Sequence, residues 1–110
     1  MFQLVLMEEC KKFLQSVPLQ AGKKILYNVW RVAGGEKNKE LFKKLENSDI
    51  WEFRTLYNGI AYRLFAFWDT EKETLVVATH GIIKKTQKTP KKEIARAETI
   101  MKQYFEQKDR

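Results

Sequence analysis

Hydrophobic positions recur with two different periods along this chain, and the change of period divides it. Near the N-terminus Phe2 to Leu6 is a short apolar run that suits an edge strand. Met7, Cys10, Phe13, Leu14 and Val17 then fall at helical spacing until Pro18 ends that helix. Proline is tolerated in the first turn of a helix, so a second one starts there, with Ile25, Leu26, Val29, Trp30 and Ala33 as its apolar stripe and Gly34-Gly35 as its stop. A short third helical piece is expected around Lys39 to Leu45, with Leu41, Phe42 and Leu45 inward. Beyond Asn47-Ser48-Asp49 the period shortens to that of strands.

Three strands are expected: Ile50 to Leu56, Ile60 to Trp68 and Thr74 to Ile83. Asn58-Gly59 between the first two is a strong signal for a two-residue hairpin turn. In the last segment Thr89 is a partial N-cap and Pro90 the first helical residue, since Lys92 stands where a capping-box acid would be. Ile94, Ala97, Met101, Tyr104 and Phe105 form that helix's apolar stripe. The expected fold class is α+β: a small antiparallel sheet of three to four strands packed against N-terminal helices on one face, with a C-terminal helix.

Residues 1–110 suit a single domain, large enough to bury a core without disulfides or metal. Three Trp and seven Phe count mainly toward that core. One cysteine, Cys10, and one histidine, His80, cannot furnish a structural zinc site or an internal disulfide, so neither metal nor cofactor is expected. No export signal is legible and Arg63 interrupts the longest apolar run, so a soluble, cytoplasmic protein without a membrane partner is expected. Charge changes the picture more. A net charge of +7 favours phosphate-rich or carboxylate-rich partners.

The hairpin turn sets a register that places Arg54 opposite Arg63. Directly opposed like charges on a sheet cost a few tenths to ~1 kcal/mol unless an anion or carboxylate lies between them. Two readings fit: a surface pair buffered by Glu52, or a clamp in which two guanidinium forks grip phosphate. On the third strand Val76, Ala78, His80, Ile82 and Lys84 alternate to one face, which would bring His80 and Lys84 together, while Lys85 starts the other face. His80 suits a structural hydrogen-bonding role as well as an active one. The stretch THGIIKKTQKTPKK carries five lysines, of which Lys84 and Lys85 lie at a rigid strand end. Lys88, Lys91 and Lys92 lie in a loop and a first helical turn, where positive charge opposes the helix dipole and a bound polyanion would relieve the cost. Tyr57, beside the turn, is a candidate for stacking on a base or donating a proton, or for simple packing.

WEFR at Trp51 to Arg54, YRLFAFW at Tyr62 to Trp68, and THGIIKKTQKTP at Thr79 to Pro90 followed by EIARA together resemble the RelE/ParE superfamily of bacterial toxins, most closely its HigB-like, phage-derived branch. The resemblance covers nearly the whole chain. It implies a type II toxin–antitoxin toxin: a metal-independent endoribonuclease acting on ribosome-bound mRNA, with a helix-turn-helix antitoxin as partner. It also implies site residues. Arg54 and Arg63 would bind phosphate, and Lys84 or Lys85 would act as base or charge stabiliser; beside these matched positions, His80 is a candidate acid or positioning group and Tyr57, Lys88, Lys91 and Lys92 are candidates for RNA binding. The same superfamily holds gyrase poisons that do not cut RNA, and a basic sheet face can also serve as a plain interaction surface. Both stand as alternatives.

Overall fold

The computed structural model describes residues 1–71 and 75–108. Its elements in chain order are β1 (Gln3–Leu6), α1 (Glu8–Ser16), α2 (Leu19–Ala33), β2 (Phe42–Lys44), β3 (Trp51–Tyr57), β4 (Ile60–Trp68), β5 (Leu75–Lys84) and α3 (Lys91–Lys108). They build a five-stranded sheet in the order β1-β5-β4-β3-β2. The expected α+β class holds, with one strand more than expected. The N-terminal edge strand is present as β1, paired parallel to β5, while the other pairs are antiparallel. The expected start of the last strand at Thr74 lies outside the described residues.

The turn is made by Asn58 and Gly59, both with positive φ (54° and 76°), as a primed hairpin turn requires. It pairs Tyr57 with Ile60 and therefore Arg54 with Arg63. Central strand β4 is covered on both sides, which is why it reads as an almost unbroken apolar run. Tyr62, Leu64 and Ala66 face α1 and α2 in one core, and Phe65 and Phe67 face α3 in a second core with Ile50, Val77 and Ala97. The expectation of helices on one sheet face is thus corrected: α3 crosses to the opposite face, because its stripe meets the side chains that α1 and α2 leave uncovered.

Two helical expectations change as well. Residues 42–44 form strand β2 instead of a third helix. Phe42 stacks on Phe53 and Trp51 with ring centroids 4.3 and 4.7 Å away, and pairing with the free edge of β3 outweighs the local spacing of Leu41, Phe42 and Leu45. The buried stripe of α2 is Ala21, Gly22, Ile25, Asn28, Val29 and Val32, and Trp30 lies outside. Asn28 can point inward because its amide donates to Thr55 Oγ1 at 3.1 Å, while Gly22 packs close to the Leu14 carbonyl of α1.

One irregularity positions the site. Phe65 pairs with His80 but Ala66 pairs with Ala78, so Thr79 is an extra residue in β5. Val76 and Ala78 belong to the α1/α2 core, whereas His80, Ile82 and Lys84 face α3. The simple alternation expected from Val76 to Lys84 is therefore wrong in its first half. Its last three members still share a face, because the bulge shifts the phase once and then leaves it.

Candidate functional site

The face of the sheet that α3 covers is left open beyond the helix's N-terminal turns, and charged residues collect there. Arg54 and Arg63 stand opposite each other on β3 and β4. Lys84 follows on β5 across from Ala61, and Lys43 on β2 pairs with Glu52. Glu52 is buried in their midst, its Oε1 at 3.4 Å from Arg63 Nε and 3.6 Å from Arg54 Nε. Its other oxygen accepts the Thr89 hydroxyl at 3.0 Å. The threonine read as an N-cap thus turns its hydroxyl to the sheet and ties the lysine-rich loop to the carboxylate.

One carboxylate serves two guanidiniums imperfectly. Both Nε atoms are buried, and neither makes a well-directed hydrogen bond. Arg63 Nη1 donates to the Tyr62 carbonyl at 3.0 Å, which fixes this guanidinium against the backbone. Burial lowers the Arg63 pKa, Glu52 opposes that shift, and Arg54 adds to it. The Lys84 ammonium is also shifted down, first by burial and then by the positive field of Arg63, Arg54 and Lys43, against the pull of Glu52. A buried unpaired donor costs about 1–3 kcal/mol, so an entering oxyanion would complete an arrangement that the protein leaves incomplete.

Above these groups opens a cleft of about 620 Å³. Glu52, Arg54, Lys84 and Lys43 line its sheet side, Lys88 and Lys91 its loop side, and Leu45 and Ile94 its apolar end. Ser48 closes that end by donating to Glu98 on α3 at 3.0 Å, while it accepts the Ile50 amide at 3.1 Å. Among the described residues no group of three His, Cys, Asp or Glu side chains is placed to hold a metal ion. No described helix is long and apolar enough to cross a membrane.

The residues singled out from sequence divide clearly. Arg54 and Lys84 line the cleft, with Lys88 and Lys91 on its rim, while Arg63 is buried behind Glu52 and does not line it. Lys85 and Lys92 are exposed and do not line it. Tyr57 lies on the opposite face with Thr55 and packs against the α1/α2 core, because alternation on β3 puts it out of phase with Arg54. His80 is buried under α3 against Phe65. Its Nδ1 lies 2.9 Å from the Thr79 hydroxyl and its Nε2 3.2 Å from Glu93 Oε1. Burial lowers its pKa, with Arg96 acting in the same direction against Glu93. His80 is thus placed to hold the start of α3, and it does not line the cleft. Lys43 was missed because its segment reads as a helix, and Ser48 because Asn47-Ser48-Asp49 reads as a plain connection. The opposite charges of Lys43 and Glu52, directly paired across two strands, are the signal that a strand assignment would have exposed.

The fold and the cleft define a RelE-like α+β domain with a cationic pocket on the sheet. A chain in the crystal structure of the intact E. coli RelBE toxin–antitoxin complex superposes with a TM-score of 0.57 at 16% identity, covering 80% of this chain and 100% of that one. The family model described as phage derived protein Gp49-like (DUF891) matches residues 12–102, and the chain belongs to that family. No curated protein matches it. The resemblance to RelE- and HigB-type toxins therefore holds at the level of family and fold.

Proposed function

We propose that this protein is the toxin of a type II toxin–antitoxin pair, that it cleaves ribosome-bound mRNA without a metal ion, and that a helix-turn-helix antitoxin restrains it in the cytoplasm. The observation that carries the reading is the pair of buried, incompletely bonded guanidinium Nε atoms around Glu52, beside a lysine of lowered pKa in an open cleft. These are the groups that 2′-hydroxyl attack requires. The deprotonated form of Lys84, favoured by its lowered pKa, takes the 2′-hydroxyl proton, and the 2′-oxygen bonds to phosphorus while the bond to the 5′-oxygen breaks. Arg54 receives the charge that develops on the phosphoryl oxygens, and Arg63, buried behind Glu52, adds its positive field. The departing 5′-oxygen takes a proton from water, leaving a 2′,3′-cyclic phosphate and a 5′-hydroxyl. Lys88 and Lys91 hold flanking phosphates. Family membership and the RelE-like fold support the toxin assignment.

The test is cleavage of a defined mRNA by the purified protein, with and without ribosomes, in excess EDTA. Cyclic or 3′-phosphate ends formed at undiminished rate are expected. Loss of activity in EDTA with intact ribosomes, or trapped gyrase–DNA complexes in place of RNA cleavage, would overturn the reading.

A further inference from the structure

Helix α2 keeps three large apolar side chains out of the core: Leu19 is 71% exposed, Tyr27 56% and Trp30 67%. They fall at i, i+8 and i+11 and share the face opposite the buried stripe, with Lys23 between them. Leu19 to Trp30 spans about 16 Å of helix axis, three turns, the length over which one helix lays side chains against another. The stripe follows the spacing by which a grooved or helical partner is recognised.

Charge identifies the occupant. The helix carries Lys23, Lys24 and Arg31 and no acid. Arg31 is occupied by Glu36, at 3.0 Å from Nε and 2.6 Å from Nη2, whereas Lys23 and Lys24 make no ion pair among the described residues. A second copy of this chain would set lysines against lysines. A nucleic acid would find the Arg31 fork taken and the Tyr27 ring already approached by Lys24 and Arg31, 5.5 and 5.7 Å from its centroid. We propose that the outer face of α2 docks an amphipathic, acidic helix of a partner protein, its apolar stripe on Leu19 and Trp30 and its carboxylates on Lys23 and Lys24. Because α2 packs on the sheet face opposite the cleft, a partner here leaves the cleft uncovered. The proposal stands on α2 alone and does not depend on RNA cleavage.

The probe is a synthetic helix with leucines at i, i+3, i+4 and i+7 flanked by glutamates, titrated into the whole protein and followed by backbone amide NMR. Shifts confined to residues 19–31 are expected, with binding at least ~10-fold tighter than that of a twin carrying lysine for glutamate. Trp30→Ser should weaken it by ~10-fold or more while RNA cleavage is unchanged. Reversing Lys23 and Lys24 to Glu together should invert the preference for the two peptides, a result that loss of folding cannot mimic. No shift up to about 1 mM peptide, equal binding of the lysine twin, or stronger shifts of the same amides by an RNA oligonucleotide would overturn the proposal. So would a Trp30-dependent dimer in sedimentation.

Discussion

Replacing Glu52 by Gln tests the site most directly, because volume is nearly conserved while the carboxylate shared by the two arginines is removed. At effective dielectric 20, unit charges at the observed 3.4 and 3.6 Å attract by about 5 kcal/mol each before desolvation is counted. Removing one partner of a buried pair costs about 3–5 kcal/mol net, since the remaining charge stays buried without compensation. Arg54 is partly exposed, which screens its share, so about 3 kcal/mol is expected here. For a domain of this size that is a fall in Tm of roughly 12 °C. The guanidiniums so left without their carboxylate should then recruit an anion. A 2′-deoxy oligonucleotide, which cannot be cleaved, should raise the variant's Tm well beyond its effect on the parent, following the linkage between binding and stability. Thermal unfolding with and without the oligonucleotide is the assay. A variant melting within about 2 °C of the parent and indifferent to the oligonucleotide would refute both the energetics and the anion-binding role.

Arg63→Ala should lower the saturated cleavage rate by ~100-fold or more. Changing Lys88, Lys91 and Lys92 together to Gln should leave that rate intact and flatten the plot of log affinity against log salt by ~0.7 for each phosphate no longer held. Single-turnover kinetics across a salt series separates the two. Gly81→Ala should destabilise by about 1–3 kcal/mol in denaturant unfolding, because a Cβ there would collide with the Phe13 ring and lie 2.7 Å from Leu64 Cδ2. Burial alone would raise the Asp69 pKa, but hydrogen bonds from Lys108, Tyr104 and the Glu71 amide hold it at about 2. The unfolded chain therefore binds more protons between that value and 3.8. Stability from this anchor of α3 should be full above about pH 4 and vanish as pH falls toward 2, and Tyr104→Phe with Lys108→Met should flatten this part of a Tm-against-pH curve.

The parts of this protein that follow from local chemistry were legible in the sequence. Asn58-Gly59 can adopt the two positive φ values of a primed turn, and a turn of fixed length sets the register that brings Arg54 and Arg63 together. Pro18 separates α1 from α2, and the period-two runs mark β3 to β5. Other features depended on what each segment met after folding. Phe42 found an aromatic strand edge and became part of β2, and the α2 stripe rotated so that Asn28 could reach Thr55. A bulge at Thr79, which alternation cannot anticipate, sent His80 beneath α3 and Lys84 into the cleft. Turn chemistry acts over a few residues and is written in their identity. The choice between faces, and between burial and access for a single histidine, is made by side chains far away in the chain that compete for the same space.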